Sequence, residues 1–245
     1  MIYNNSLRIC AALTALTMAR AAQADDSDSL SCPVTYSKLK FALMLADKNE
    51  PSQGFGNHFW AVVVNRGGVV CAVAFSGPAV GSQWLASRQI AAAKAFTANG
   101  LSLNKGSGSG ALSTAQLYQF VQPSNANVGN PLFGLDGGNV LNSTLAYKGD
   151  YASFGTADDP MIGQRVGGTI TFGGGLALYK GTTVVGGIGL SGDTACRDHS
   201  VAWGTRINLN LPQLSPGDEL PFATNVERTN GHPHCPNDTK TQGVK

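Results

Sequence analysis

Apolar residues recur with different periods along the chain, and the changes of period divide it into elements. Over residues 36–47 they recur at helical spacing, which predicts a first helix. The apolar runs at 59–64 and 69–75 flank a polar Asn-Arg-Gly-Gly turn at 65–68. A short turn between two strand-like runs is typical of a β-hairpin, so we expect these runs to pair.

Alanine gives the strongest helical signal, over residues 83–97, and the Asn-Gly pair at 99–100 predicts the end of that helix. A shorter helix is predicted from Ser113, a candidate N-cap, to Val121. Residues 123–167 are rich in Gly, Asn, Asp and Pro and have no clear period. A loop of this length within a compact domain is often functional.

A second hairpin is predicted from the runs at 176–179 and 183–188. The last helix is predicted from Thr194 to about Leu209, with Asp193 as its N-cap. Two hairpins separated and flanked by helices favour the α+β class. We therefore expect a single domain with an antiparallel sheet flanked by helices.

Residues 1–24 have the order of a secretory signal peptide. Arg8 precedes an apolar stretch at 9–18, and an Ala-Gln-Ala sequence at 22–24 supplies the small residues of a cleavage site. The stretch is too short for a membrane anchor, because a bilayer span needs roughly 20 apolar residues. We expect cleavage after residue 24 and export to the periplasm or the exterior.

The charge of the mature chain excludes one large class of partner. Two of the 17 basic residues, Arg8 and Arg20, lie in the leader, so basic residues balance the 15 acidic residues once it is removed. A nucleic-acid-binding protein normally has a strongly basic surface. We therefore expect neither nucleic-acid binding nor, from the hydropathy, a membrane span.

Four cysteines remain in an exported chain after Cys10 leaves with the leader. Disulfides are then expected, and three pairings are possible. We favour Cys32–Cys71 and Cys196–Cys235, because each bond would tie a terminal arm to a nearby core element. A metal site is the alternative, although no CxxC spacing is present.

Residues 187–192 fit the pattern G-x-G-x-x-G after a strand and before a helix. A dinucleotide-binding fold also needs a βαβ unit and an acidic residue about 20 positions further on. Here the helix runs into Pro212 and a polar tail. We interpret the glycines as a tight strand-to-helix turn; the amides at that helix start remain a candidate anion site, which Asp193 opposes.

Cys196, His199 and Trp203 share one face of the last predicted helix. His199 is a candidate axial ligand or acid–base group. The alternative is that Cys196 is oxidised and His199 is a hydrogen-bonded packing residue beside Trp203.

The tail contains a second histidine cluster, His232 and His234 beside Cys235. Imidazole and thiolate suit a soft metal, but a disulfide at Cys235 would remove the thiolate. His58 begins a strand and is interpreted as structural. The acidic pair at 158–159 is interpreted as a solvated turn.

Three segments of the chain resemble those of one known family: the alanine-rich helix at 87–98, Leu-Phe-Gly-Leu at 132–135, and the glycine-rich hairpin at 173–179 and 185–192. They resemble the GlcG/HbpS-like haem-binding family, and the resemblance extends over residues 38–207.

The resemblance implies a profilin-like fold and ring-like homo-oligomers. It also implies haem or iron binding by exported members, with slow haem degradation in some. Other relatives use other ligands, so the family does not determine one. The chain departs from the family core by an insertion at about 136–167 and by a cysteine-bearing arm at each end. The family-like domain then spans 25–209, and a polar tail at 210–245 is tethered by a disulfide.

Haem needs an apolar slot, an axial donor, and cations or amides for its propionates. The resemblance suggests Thr97 as an oxygen ligand, and the alanine helix offers a surface for a flat ring. Arg88 and Lys94 are candidate partners of the propionates, or else solvated helix charges. His199 is the second candidate ligand.

Together these features predict an exported haem-binding protein with at most slow haem-degrading or iron-sequestering activity. Its expected partners are haem, further copies of itself and an envelope protein. Two alternatives stay open: a non-enzymatic envelope sensor or interaction module, and an enzyme or binder for another small ligand such as a hydroxy acid or corrinoid.

Overall fold

The computed structural model describes residues 30–50, 54–105, 110–123, 130, 132–135, 141–212, 217–222 and 231–235. The leader predicted at 1–24, the start of the insertion at 136–140 and most of the tail at 210–245 lie outside these residues.

The described elements follow the predicted order. The α-helices are α1 (Tyr36–Asn49), α2 (Ser87–Leu101), α3 (Tyr118–Val121), α4 (Ser143–Ala146) and α5 (Ala195–Asn208). The strands are β1 (Trp60–Asn65), β2 (Val70–Phe75), β3 (Gly175–Lys180) and β4 (Thr183–Ser191). Single 3₁₀ turns occupy Val80–Ser82 and Tyr151–Ser153.

The strands form one antiparallel sheet in the order β2-β1-β4-β3. This arrangement confirms the predicted α+β class. β4 extends to Ser191, three residues past the predicted end, because residues 186–191 pair with β1 and Ser191 lies opposite Trp60. A central strand gains hydrogen bonds from the neighbouring strand, and these cannot be predicted from its own sequence.

The ends of α2 differ from the prediction for tertiary reasons. It begins at Ser87 and not at Gln83, because the side chain of Gln83 donates to the carbonyl groups of Ala79 and Val80 in the preceding turn. It continues through Asn99 and Gly100 because Asn99 is held by Arg66, whose main-chain oxygen accepts from the Asn99 side-chain amide at 3.1 Å. A long-range contact thus overrides a local stop signal.

The start of α5 also departs from the prediction. Thr194, not Asp193, is the N-cap, and its hydroxyl accepts from the amide of Arg197. Asp193 instead accepts from the amides of Phe55 and Asn57, and so holds the loop before β1.

The two faces of the sheet are covered differently. We call the face under α1 and α5 the leucine side, because Ile188 and Leu190 of β4 lie there in one buried apolar cluster with Leu39 and Leu43 of α1 and Val201 of α5. We call the opposite face, under α2 and residues 141–170, the glycine side. There β4 presents glycine, while β1 presents Trp60 and two valines.

Both predicted disulfides are present. Cys32–Cys71 joins the N-terminal arm to β2, with a Cα–Cα distance of 5.5 Å, and Cys196–Cys235 joins α5 to the C-terminal segment, at 6.1 Å. Within the described residues, no helix has the length and apolar character needed to cross a membrane.

Candidate functional site

The alanine-rich face of α2 lies directly on the glycines of β4. A Cβ atom at Gly187 would come within 2.3 Å of the Ala95 carbonyl oxygen, and one at Gly189 within 2.0 Å of the Ala91 carbonyl oxygen. Such distances leave no space even for a methyl group. The expectation that this alanine surface faces a flat ring is therefore wrong for the described chain, because the helix backbone already fills that space.

Lys94 is fully buried and paired within the protein. Its Nζ lies 2.6 Å from Asp198 Oδ2 and 2.9 Å from the Leu190 carbonyl oxygen, over the ring of Phe172. Burial lowers the pKa of Lys94. The interpretation of Lys94 as a solvated charge is therefore wrong, and its enclosed ion pair does not favour contact with a propionate.

Asp198 is the counter-charge of Lys94 and joins β4 to α5. Its Oδ1 accepts from the amides of Gly192 and Asp193, at 3.0 and 2.9 Å. Burial raises the pKa of Asp198 to about 6, and the ammonium group of Lys94 opposes that rise. The amides after the glycine motif are therefore occupied by the chain's own carboxylate, and not by an external anion.

Arg88 is fully buried in a second internal ion pair. Its Nη1 and Nη2 lie 2.5 and 2.6 Å from the two oxygens of Asp159, and its Nε donates to the Ala146 carbonyl oxygen at 2.7 Å. The guanidinium group also lies 4.1 Å from the ring centre of Phe154. Arg88 fastens the insertion to α2 and, being enclosed, does not reach a propionate. Asp159 is not the solvated turn residue that the sequence predicted.

The Thr97 hydroxyl holds a loop in place. It donates to the Ala93 carbonyl oxygen at 2.8 Å and accepts from the Ile170 amide at 3.1 Å. Since Thr97 is almost completely buried, its oxygen is not presented to a ligand in the described chain. The suggestion from the family resemblance is not supported by this geometry.

His199 is completely buried on α5, with its ring centre 6.2 Å from that of Trp203. Cys196 is oxidised, as the packing interpretation of this helix face required. The position of His199 agrees with a residue of the interior, and not with an axial ligand reached from solvent.

The tail histidines occupy two different environments. His232 is buried; its Nε2 accepts from the Gly173 amide at 3.3 Å, and its Nδ1 lies 2.7 Å from the Pro233 carbonyl oxygen. Burial lowers the pKa of His232 to about 4. His234 is exposed and stacks on Phe222 at 4.0 Å.

Cys196, His232 and Cys235 bring their side-chain donor atoms within 4.8 Å of one another. The two sulfur atoms are bonded to each other, however, and both ring nitrogens of His232 are engaged. A cysteine binds a metal as its thiolate, so this group does not fit a metal while the disulfide is intact.

An open groove of about 830 Å³ lies beside the C-terminal end of α1. We call it the α1 groove. Its walls come from α1, the loop before β1, the end of β2 and α5. They are formed by Met44, Asp47, Lys48, Asn49, Glu50, His58, Ser76 and Arg197.

His58 is the histidine of this groove, and its side chain is 44% exposed. Its Nδ1 lies 3.1 Å from Asp47 Oδ2. The other oxygen of Asp47 accepts from Arg197 Nη2 at 3.2 Å. A histidine fixed through one nitrogen by a carboxylate presents the other nitrogen as an oriented lone pair, which is the usual arrangement of a metal-ligating imidazole.

Sequence reasoning missed this pair. It placed His58 at a strand start as a structural residue and did not single out Asp47. No local signal joins them, because they lie in different elements that the fold brings together. Arg197 lies on the predicted last helix, but only the packing of α5 against α1 brings it to Asp47.

A family model described as "Haem degrading protein HbpS-like" matches residues 52–205 of the chain. No curated protein shows significant similarity to it.

Two solved structures resemble the chain. The Klebsiella pneumoniae protein ORFY, of the family DUF336, has a TM-score of 0.45 and 20% identity over 72% of this chain and 90% of its own. A complex of PduOC with haem has a TM-score of 0.46 and 20% identity over 72% of this chain and 92% of its own.

Proposed function

Because this chain belongs to the HbpS-like family of haem-degrading proteins, we propose that it is an exported protein that binds haem. The observation that carries the proposal is the family match over residues 52–205, which covers the sheet, α2 and most of α5. Thr97, Arg88, Lys94 and His199 are all buried in the described chain, which does not favour them as contacts of haem.

Two features support export. The leader predicted at 1–24 would direct the chain to the secretion pathway. Both disulfides link cysteines that would be kept reduced in most cytosols. Mass mapping of the protein from a periplasmic or culture fraction tests this part: we expect the chain to begin at residue 25 and to have no free thiol. An uncleaved chain in the cytosolic fraction would contradict it.

Haem binding is tested by titrating the purified mature protein with hemin and recording the Soret band. We expect a saturable shift at micromolar protein with one haem per chain. A spectrum that remains that of free hemin at all ratios would end the proposal. Hemin with an unrelated disulfide-bonded protein of similar size controls for non-specific adsorption.

Haem degradation extends the proposal to the activity in the family's description. It is measured as protein-dependent loss of Soret absorbance with release of iron, against free hemin under the same reductant or peroxide. Equal loss with and without protein would limit the function to binding.

Association of identical chains is part of the same proposal. Phe55 and Trp84 form an aromatic pair with ring centres 6.1 Å apart, and their side chains remain 61% and 52% exposed. Exposed aromatic surface of this kind commonly marks an interface. Light scattering coupled to size exclusion should give a multiple of the chain mass, and Trp84→Glu should reduce it; a monomer at micromolar concentration would contradict this part.

A further inference from the structure

We infer that the α1 groove holds the haem and that His58 Nε2 is the axial donor to its iron, with Asp47 as the residue that positions His58. This inference rests on the proposed haem binding and assigns its site. It moves the site from the alanine face of α2, which is filled, to the opposite side of the sheet.

The first argument is the orientation of the imidazole. Asp47 accepts from Nδ1 of His58, so Nε2 keeps its lone pair, and Nε2 has no hydrogen-bond partner within the described chain. Asp47 is itself held by Arg197, whose Nη1 donates to the Asn57 carbonyl oxygen at 2.6 Å and lies 3.1 Å from Asp193 Oδ2. A ligand that is held by such a chain of contacts is preorganised, which increases metal affinity.

The second argument is the comparison with the other described histidines. His199 has no exposed surface, and His232 uses both ring nitrogens internally. His234 is exposed but lies flat on Phe222. His58 combines an exposed ring, a carboxylate on the far nitrogen and a groove in front of it.

The third argument is the surface beside the groove. Phe41, Met44 and Leu45 form an exposed apolar stripe on α1, with 71%, 50% and 36% of their surface accessible. Lys48 continues the same helix face and lines the groove. Met44 is the apolar side chain of the groove lining and belongs to this stripe, so a flat apolar ring at His58 would extend over the stripe while Lys48 pairs with a propionate. The carboxylate of Glu50, which also lines the groove, accepts from the Ser200 hydroxyl.

The experiment is a hemin titration of the wild-type protein and His58→Ala, followed by Soret absorbance and, for the ferric complex, by electron paramagnetic resonance. We expect His58→Ala to raise the dissociation constant at least about tenfold and to lose the imidazole-ligated spectrum. Added imidazole should restore that spectrum, because it replaces the missing donor. A variant that had merely lost its structure would not be rescued.

His234→Ala is the matched control, since it removes an exposed histidine outside the groove and should leave titration and spectrum unchanged. Met44→Glu tests the placement independently of the ligand. It should weaken haem binding several-fold, whereas Leu103→Glu, a similarly exposed apolar residue outside the groove, should not.

The positioning role of Asp47 has its own readout. Asp47→Asn keeps the side-chain shape but weakens the acceptor, so we expect a higher reduction potential of the bound iron with the axial ligand retained. A potential equal to that of the wild type would remove Asp47 from the assignment.

The outcomes separate the two proposals. If the wild-type protein binds no haem, the proposed function fails and this assignment with it. If the wild-type protein binds haem and His58→Ala binds it equally well with the same spectrum, haem binding stands and the assignment to His58 is overturned.

Discussion

On the leucine side of the sheet, Ile188 and Leu190 of β4 lie in a cluster of apolar side chains from α1 and α5, whereas on the glycine side Gly187 and Gly189 of the same strand meet the backbone of α2. Both faces are buried by a helix, but through different contacts. Side chains can adjust to one another by changing rotamer, while a backbone carbonyl in a helix cannot move alone. We therefore expect the glycine side to tolerate far less change.

The helix of the glycine side, α2, also forms the buried ion pairs Arg88–Asp159 and Lys94–Asp198. Each joins α2 to a segment that is distant in the sequence. On the leucine side, the cluster that contains Ile188 and Leu190 consists of apolar side chains. Substitutions should therefore destabilise the two faces by different mechanisms. On the glycine side they leave a buried charge unpaired or create a steric overlap, and on the leucine side they create a small cavity.

The largest expected effect is on the ion pair that fastens the insertion. Asp159→Ala would leave Arg88 charged and fully buried without its carboxylate, so we expect a loss of about 3–5 kcal/mol in the free energy of unfolding. Urea unfolding with the disulfides intact measures it. Asp158→Ala, at the exposed neighbouring position, should change stability by no more than about 0.5 kcal/mol. Equal effects of the two changes would show that the pair does not anchor the insertion.

A single methyl group on the glycine side should cost almost as much. In Gly189→Ala the new Cβ would lie 2.0 Å from the Ala91 carbonyl oxygen and 2.5 Å from the Ala95 amide nitrogen, both backbone atoms. We expect a loss of about 3 kcal/mol, since α2 must move away from the sheet.

Gly100→Ala is the control for that change. Gly100 lies in α2 itself, and a Cβ added there would meet no atom within 4 Å, so alanine should stabilise the protein by about 0.5–1 kcal/mol. Thermal unfolding of both variants decides the question, and a Gly189→Ala protein as stable as the wild type would remove the distinction between the two faces.

The pH dependence of the free energy of unfolding should reflect His232, which is buried beside Gly173, just before β3. Burial lowers the pKa of His232 from 6.5 to about 4, so the unfolded chain binds a proton in that window and the folded chain does not. Stability from this residue is therefore complete above pH 6.5 and is lost as the pH falls, by about 2 kcal/mol between pH 7.5 and pH 5.

The measurement is the difference between wild-type protein and His232→Gln in urea unfolding at both pH values. Asp198 titrates in the same range with the opposite sign, since its pKa is raised to about 6, but it is present in both proteins and its contribution cancels. Parallel pH profiles for the two proteins would contradict the assignment to His232.

The smallest effect is expected on the leucine side. Ile188→Val removes one methyl group from a contact between side chains, so we expect a loss of about 1 kcal/mol. Chemical unfolding measures it beside Gly187→Ala, one position away on the other face, which should cost clearly more. A larger loss for Ile188→Val would reverse the comparison.

Local patterns predicted a large part of the fold. The two hairpins, the alanine-rich helix and the order of elements follow from periodicity and turn residues, which act over a few neighbours. Of the three possible disulfide pairings, the favoured one, in which each bond ties a terminal arm to a nearby core element, is the one observed. The N-cap of α5 was wrong because Asp193 is used by the loop before β1, a contact that its neighbours do not reveal.

The candidate site was predicted less well, because it depends on contacts between elements that are distant in the sequence. The family resemblance suggested Thr97 as a ligand, and Arg88 and Lys94 were predicted to meet propionates or solvent, but the glycines of β4 bring that helix into the interior. The His58–Asp47 pair was missed because its members belong to different elements and neither is unusual alone.

Local sequence patterns were enough to predict the class of the fold, the positions of most helices and strands, the favoured pairing of the cysteines and the family. These depend on local periodicity, residue counts and motifs. Only the tertiary structure shows that Arg88 and Lys94 are buried, that His58 lies exposed in the α1 groove, and that α2 packs on the glycines of β4. Those outcomes depend on contacts between residues far apart in the chain, such as Arg88 with Asp159 and Lys94 with Asp198, and no local pattern specifies the partner.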